Sequence, residues 1–245
     1  MSPKIAIIGA MQREIAPMLK YWTRGLLKHG GRIFAMWKSG ECTYIQSGMG
    51  KEPAMAAARA ALEAAKPEIL ISAGFAGALT AALSVGEVVV PEQVVDGVTG
   101  KVFVSPGGTG ILVSAPMIAD EASKRKLAQQ FKADLVDMEA AAVGTVAEEH
   151  KVLFCAVKAI SDELGFAMPP FNTYVKEDGT LAIDKFAAHV AVRPGYWPSL
   201  MQLARNSKKA SLELSSAVVH LVKKLSDTDL ENAMRMVGTS ARAVN

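Results

Sequence analysis

The sequence is poor in the residues that mark a disulfide-rich or metal-binding protein. Its two cysteines, Cys42 and Cys155, lie far apart and beside apolar runs, so we expect buried, reduced thiols and no disulfide framework. Its four histidines show no paired spacing such as H-x-x-x-H. Because metal ligands usually come in spaced sets, we expect no metal site.

Long apolar runs and a strong charge of one sign are also missing. No run reaches the length of a membrane span, and the first residues lack the apolar region and cleavage site of a signal peptide. Lys and Arg number 27 against 24 for Asp and Glu, a net charge of +3, and no basic run is interleaved with aromatic residues. We therefore expect a cytoplasmic protein with no membrane span and no nucleic-acid partner.

What the sequence does contain is a regular alternation of apolar runs and alanine-rich helical stretches. Predicted strands cover 5–8, 32–37, 42–46, 69–73, 85–90, 135–136 and 152–160, with short strands and a hairpin within 94–113. Predicted helices cover 13–21, 52–65, 119–131, 139–150 and 207–225. Continuous apolar strands are typical of sheets covered on both faces, so we predict an α/β fold, a three-layer α/β/α sandwich around a twisted mixed sheet. We expect one domain over 1–225 and a polar tail over 226–245.

Glycines and an acid follow several predicted strands, where open α/β sheets bind their ligands. Glu14 comes after the first strand, either as a ligand-facing acid or as an acid favoured by the helix dipole. The glycines of 47–51 and 72–78 leave backbone N–H groups free for an oxyanion or a sugar hydroxyl, or serve tight turns and close packing. The first strand is not followed by the dinucleotide pattern G-x-G-x-x-G, and 47–51 lacks the P-loop spacing.

Two further acidic segments stand at the ends of apolar runs. In Asp137-Met138-Glu139 the two acids share a face if the segment is extended, and diverge if the helix has begun. A carboxylate there would accept hydrogen bonds from vicinal ribose hydroxyls, or simply begin a helix. Asp162 follows Ser161 after a buried run, where it would donate a proton to a leaving group or cap a helix.

Taken in order, these segments resemble the purine nucleoside phosphorylase/nucleosidase superfamily, and most of all its 5′-methylthioadenosine/S-adenosylhomocysteine nucleosidases. The segments that carry the resemblance are IGAMQREI, SGMGKEPA, SAGFAGAL, VGEVVVPE, VDMEAAAVG and VKAISDE. They lie between residues 8 and 163. The resemblance implies a nucleoside phosphorylase-like fold, a small-molecule nucleoside substrate, no cofactor and a homodimer.

The resemblance also implies roles for individual residues. The catalytic pair would be Glu14, which activates or positions the attacking water, and Asp162, which protonates N7 of adenine. Glu139 would bind the ribose hydroxyls. The other residues expected to bind substrate are Met11, Met49, Phe75, Ile118, Met138 and Ser161. The reaction would be hydrolysis of the N-glycosidic bond of 5′-methylthioadenosine or S-adenosylhomocysteine, releasing adenine.

The sequence departs from this pattern around the 5′ end of the substrate. Phe75 replaces the family's serine, and Ile118 or Met117 replaces an aromatic residue over adenine. The aromatics and prolines of 166–174 and 193–198 form either a lid or apolar pocket, or core and dimer packing. A nucleosidase for an adenosine derivative with a bulky apolar 5′ group is therefore an alternative.

Two other functions stay open on the sequence. A phosphorylase would need a cationic phosphate site, for which Arg13 and Arg59 are candidates, yet Glu14 beside the nucleophile would repel phosphate. A non-catalytic nucleoside sensor has no need to keep Glu14, Glu139 and Asp162 together.

Overall fold

The computed structural model describes residues 3–176 and 179–227. It contains six α-helices, which are α1 (Ala16–Leu19), α2 (Lys51–Ala65), α3 (Glu121–Phe131), α4 (Ala140–His150), α5 (Ile183–Ala191) and α6 (Trp197–Asp227). Its strands are β1 (Ile5–Gly9), β2 (Thr23–His29), β3 (Arg32–Ser39), β4 (Cys42–Gln46), β5 (Ile69–Ala78), β6 (Val88–Val89), β7 (Gln93–Asp96), β8 (Val102–Val104), β9 (Ile111–Ser114), β10 (Leu135–Asp137) and β11 (Leu153–Asp162). Short 3-10 turns cover Gln12–Glu14, Phe171–Tyr174 and Pro194–Tyr196.

The strands form one mixed sheet in the order β2-β3-β4-β1-β5-β10-β9-β7-β8, while β11 pairs with β5 and β6. Strand β5 lies at the centre, parallel to β1 and β11 and antiparallel to β10. The register of β5 and β11 shifts between Ile160 and Asp162. The carboxyl ends of β1, β5 and β11 therefore lie side by side, and Glu14 follows β1 while Asp162 ends β11.

Helices cover both faces of the sheet, as the continuous burial of the central strands β1, β5 and β11 requires. In β1, Ala6 and Ile8 pack in a cluster with α2 and α4, while Ile5 and Ile7 pack with α1 and α6. Helix α3 packs over the β9–β10 side through Leu127. The predicted three-layer α/β/α sandwich around a mixed sheet is thus confirmed.

Several element predictions need correction. The helix predicted over 13–21 is a 3-10 turn followed by the short α1, and the strand predicted over 85–90 is reduced to Val88–Val89. The last helix begins at Trp197 and not at 207, because Pro198 lies in its first turn, where the missing proline N–H costs nothing. The half-exposed strand β2 and helix α5 were not predicted.

The predicted polar tail lies outside the described residues from 228 onward, while 226 and 227 belong to α6. The division into a domain over 1–225 and a tail therefore stays a prediction. Among the helices of residues 3–176 and 179–227, none is long and apolar enough to cross a membrane.

Candidate functional site

A cavity opens beyond the carboxyl ends of β1, β5 and β11, and the residues predicted from the sequence converge on it. It is lined by both predicted catalytic acids and every predicted substrate-binding residue, namely Glu14, Asp162, Met11, Met49, Phe75, Ile118, Met138, Glu139 and Ser161. The chain thus brings together side chains from segments more than a hundred residues apart. What each does to a substrate stays a proposal.

Glu14 ends the 3-10 turn that follows β1, and its carboxylate is buried. The backbone N–H of Met11 donates to Oε2 at 3.1 Å, and that of Phe75 donates to Oε1 at 3.4 Å. Burial raises the pKa of Glu14, while these N–H groups and the nearby Lys158 ammonium oppose that rise. A fixed carboxylate with a raised pKa suits a general base for water.

Glu139 stands just before α4 and is held against the second glycine segment. Its Oε1 accepts a hydrogen bond from the Gly50 N–H at 2.7 Å, and its Oε2 accepts one from the Met138 N–H at 3.3 Å. Burial and the neighbouring Asp137 carboxylate raise the pKa of Glu139 to about 8. A buried carboxyl of this kind pairs well with vicinal hydroxyls, since it both accepts and, when protonated, donates.

The two acids of the segment 137–139 have separate roles. Asp137 accepts hydrogen bonds from Ser114 Oγ at 2.6 Å and from the Ala140 N–H at 2.9 Å. Its Oδ2 lies 2.8 Å from Lys158 Nζ. Asp137 thus fastens β9, β10, β11 and the start of α4 around the floor of the cavity, while Glu139 points toward the glycine segment.

Lys158 is a functional candidate that the sequence interpretation missed. It lies in β11 with its side chain buried, within hydrogen-bonding distance of Ser72 Oγ (3.0 Å) and Asp137. Burial alone would lower the pKa of Lys158, but the carboxylates of Asp137 and Glu139 raise it overall. The available signal was a lysine inside an otherwise apolar run, 152–160, because such a charge is buried only with a partner.

Asp162 ends β11 with both carboxylate oxygens occupied. Ser161 Oγ lies 2.7 Å from Oδ1, and Lys124 Nζ forms a buried ion pair with Oδ2. Lys124 also donates to the Glu163 carbonyl at 2.7 Å. The sequence interpretation missed this lysine, although it is three residues before Leu127 on α3 and therefore on the face that packs inward.

The roof of the cavity comes from the segment around Ile118 and the segment 166–174. The Ile118 N–H donates to Asn172 Oδ1 at 3.0 Å, and Asn172 Nδ2 donates to the Ile118 carbonyl at 2.9 Å. Met168 and Phe171 line the cavity, and Phe171 stacks on Phe186 of α5 with ring centroids 4.6 Å apart. The segment 166–174 therefore both covers the cavity and packs on the outer helix.

The inner wall of the cavity is apolar. Phe75 lines this wall together with Met11, Met49 and Met138. Met49 is fixed by a hydrogen bond from its N–H to the Gly179 carbonyl at 2.8 Å. The site thus combines three buried or half-buried acids, Glu14, Glu139 and Asp162, with apolar side chains around one cavity. Within the described part of the chain, no group of three His, Cys, Asp or Glu side chains is placed to hold a metal ion.

Comparisons with known proteins agree with this architecture. A 5′-methylthioadenosine/S-adenosylhomocysteine nucleosidase of Buchnera aphidicola subsp. Schizaphis graminum is 27% identical over 196 residues, 65% of this chain and 83% of the relative. An aminodeoxyfutalosine nucleosidase of Campylobacter jejuni is 27% identical over 198 residues, 66% of this chain and 86% of the relative.

Solved structures share the fold. A 5′-methylthioadenosine/S-adenosylhomocysteine nucleosidase of Colwellia psychrerythraea in complex with adenine superposes with a TM-score of 0.71 at 19% identity, covering 94% of this chain and 98% of that one. A futalosine hydrolase of Helicobacter pylori gives 0.64 at 19% identity, covering 90% and 99%. The expected nucleoside phosphorylase-like fold is confirmed. The family model described as the phosphorylase superfamily matches residues 4–122 and 108–193, and this chain belongs to that superfamily.

Proposed function

We propose that this protein hydrolyses the N-glycosidic bond of a 5′-substituted adenosine and releases adenine. At the coarser level the chain is a nucleosidase of the group to which its 27%-identical relatives belong, an enzyme that hydrolyses N-glycosidic bonds. The observation that carries the proposal is one cavity lined by Glu14, Glu139 and Asp162.

The chemistry divides between these acids. As the bond to the purine lengthens, positive charge builds on the ribose and electrons move into the base. Glu139 locks the ribose hydroxyls and its negative charge, when ionised, stabilises the sugar cation. Glu14 removes a proton from water as the water attacks C1′. Asp162 protonates N7 of the leaving adenine. General acid–base help of this kind contributes about 10²–10⁴-fold.

Water is favoured over phosphate as the nucleophile. In this proposal Glu14 activates the nucleophile, and its negative charge, when ionised, opposes a phosphate dianion. Arg59, one of the two candidate phosphate ligands, pairs with Glu149 at 3.3 Å on the exposed side of α2 and does not line the cavity. Arg13 does line the cavity, so phosphorolysis is the reaction from which an experiment must distinguish hydrolysis.

The 5′ group of the substrate is the less constrained part of the proposal. Methylthioadenosine and S-adenosylhomocysteine are the first candidates. The alternative, a bulky apolar 5′ group, is supported by the apolar side chains of Met168, Phe171, Leu181 and Leu203 along the same cavity. Such a lining favours a hydrocarbon-like group over the charged amino-acid end of S-adenosylhomocysteine.

The test is a substrate series. Adenine release would be followed for adenosine, methylthioadenosine, S-adenosylhomocysteine and adenosines with 5′-alkylthio chains of increasing length. We expect release from the 5′-thio compounds, with kcat/KM rising with chain length if the apolar lining binds the 5′ group. Absence of adenine release from every member would overturn the proposal. A highest kcat/KM for S-adenosylhomocysteine would overturn the apolar alternative alone.

A homodimer and a cytoplasmic location belong to the same proposal. The support for the homodimer is the family, whose members usually pair their subunits near the active sites. Light scattering on the purified protein tests the first, and fractionation of the host cell tests the second. A monomer at micromolar concentration would contradict the proposed homodimer.

A further inference from the structure

Lys124 is an unusual residue for its position. Helix α3 presents exposed side chains on both sides of it, including Arg125 and Lys126, yet Lys124 itself is 1% exposed. Its ammonium reaches Asp162 Oδ2 and the Glu163 carbonyl, and it lines the same cavity as Asp162. A buried lysine of this kind is retained only where its charge has partners.

The surroundings are shaped to hold this pair. A Cβ atom at Gly77 would lie 2.9 Å from Asp162 Oδ2, a distance that real Cβ atoms essentially never show, and 3.0 Å from Lys124 Cε, which is tighter than most. Gly77 belongs to the glycine segment at the end of β5, so this close approach explains one of its glycines. The Lys124–Asp162 pair therefore occupies the space that a side chain at position 77 would need.

The hydrogen bonds leave Asp162 without a proton of its own. An ammonium is a donor only, so Oδ2 beside Lys124 acts as an acceptor. Oδ1 faces the Ser161 hydroxyl at 2.7 Å, the shorter of the two contacts of that hydroxyl, since the Ala76 carbonyl lies at 3.4 Å. With a donor on each oxygen, Asp162 is a carboxylate, whereas the proposed reaction needs a proton at N7.

We infer that Lys124 supplies the proton that reaches N7 of the leaving base, with Asp162 relaying it. This rests on the proposed function. As the C1′–N9 bond breaks, its electron pair moves into the purine and N7 takes a proton from the Asp162 carboxyl, which takes one from Lys124 Nζ. Lys124 becomes a neutral amine, adenine leaves protonated at N7, and water gives its proton to Glu14 and its oxygen to C1′. Solvent then returns a proton to Lys124 and removes one from Glu14.

Other charges surround the pair and enter its pH dependence. On α3 and its cap, the charged neighbours are exposed, namely Asp120, Glu121, Arg125 and Lys126. Across the cavity the ionisable groups are Arg13, Glu14, Asp137 and Glu139, with Lys158 bound to Asp137. Because Glu14 acts as the base, it governs the acidic side of the pH profile, so the contribution of Lys124 is measured by comparing each variant with wild type at the same pH.

Two variants separate the charge of Lys124 from its proton. K124R keeps a cation beside Asp162, but arginine does not release a proton in proteins. We expect K124R to lose about 10²–10⁴-fold in kcat at every pH, the contribution of a general acid. K124M removes the cation, so the buried Asp162 must take its proton from solvent. We expect K124M to approach wild-type kcat/KM near pH 5.5 and to fall more than tenfold below it at pH 8.5.

The controls make the outcome decisive. K126M, two residues away on the exposed side of α3, should keep the wild-type profile. An N7-methylated adenosine derivative leaves without protonation, so its hydrolysis by K124R relative to wild type should recover to within about threefold. Suppose that the wild type is active. A K124R variant with the kcat of wild type would then overturn the inference, and so would a K124M variant with the pH profile of wild type. Absence of turnover by the wild type would instead contradict the proposed function.

Discussion

Lys158 Nζ lies 2.8 Å from Asp137 Oδ2, and both side chains are buried beneath the cavity. The pair joins β11 to the end of β10, and Ser72 Oγ at 3.0 Å from Lys158 adds the central strand. Three strands are thereby fixed to one another at the edge of the sheet that faces the cavity. The site is consequently built on the sheet and only its roof on loops.

Removing one partner of this pair should lower the free energy of unfolding of the protein. In K158M the Asp137 carboxylate stays buried without its cation, and we expect a loss of about 3–5 kcal/mol in the free energy of unfolding. Urea denaturation measures it. The double variant D137N/K158M should recover part of the loss because it removes the orphaned charge, and K126M is the exposed control. A loss in K158M no larger than in K126M would contradict the account.

Glu139 should make the protein less stable as the pH rises. The pKa of Glu139 is about 8 in the folded chain against 4.5 for an ordinary glutamate, so between these values the folded state holds a proton that the unfolded state has released. Stability contributed by this group is therefore present below about pH 4.5 and is lost progressively up to pH 8.

The variant E139Q isolates this effect. We expect its Tm to exceed that of wild type by several degrees at pH 8, at about 2–4 °C per kcal/mol, and to match wild type near pH 4.5. Turnover should fall at both pH values, because ribose binding loses a carboxylate. Equal Tm values at pH 8 would contradict the assigned environment of Glu139.

Glu14 should set the acidic limb of the activity profile. A base must be ionised, and burial raises the pKa of Glu14, so kcat/KM should rise with pH at values above those of an ordinary glutamate. E14Q should lose about 10²–10⁴-fold in kcat while still binding adenine in calorimetry. Loss of adenine binding with no loss of kcat in E14Q would point to a role in holding the base. If binding is all that Glu14, Glu139 and Asp162 provide, the protein is a sensor.

Asn172 should govern the roof of the cavity. Its side chain makes two hydrogen bonds to the backbone of Ile118, at 3.0 and 2.9 Å, and so joins the two segments. N172A loses both, and at about 0.5–1.5 kcal/mol each we expect KM to rise by roughly five- to 150-fold with a smaller change in kcat. T173A, an exposed neighbour in the same turn, is the control. An unchanged KM in N172A would show that the roof does not depend on this clamp.

The central elements could be predicted because their patterns are local. Residues 69–73 and 152–160 are apolar on both faces, and 52–65 is mostly alanine, so length and composition alone indicate buried strands and a helix. Candidate acids could be located because they follow these strands. Strand β2 could not be predicted, because only alternate side chains are partly covered and the segment carries charges on its exposed side.

The lysines show the limit of this reasoning more clearly. From the sequence alone, Lys124 and Lys158 cannot be told from lysines on the surface. They are buried because each pairs with an aspartate from another part of the chain, Lys124 with Asp162 and Lys158 with Asp137. A pattern of apolar residues does not reveal which charge will meet which. The start of α6 was predicted wrongly for a different reason. Pro198 indicates a loop unless it is known to lie in the first turn of a helix.

The most direct test of the account is the identity of the sugar product. Purified protein would be incubated with methylthioadenosine, or the best substrate of the 5′-alkylthio series, in buffer with and without 50 mM phosphate (on the order of ordinary assay concentrations), and the sugar product identified by mass spectrometry. The account predicts adenine and the free 5′-substituted ribose at the same rate in both buffers, and loss of both in E14Q. Formation of the ribose 1-phosphate, with adenine release only when phosphate is present, would contradict the role proposed for Glu14 and make the protein a phosphorylase.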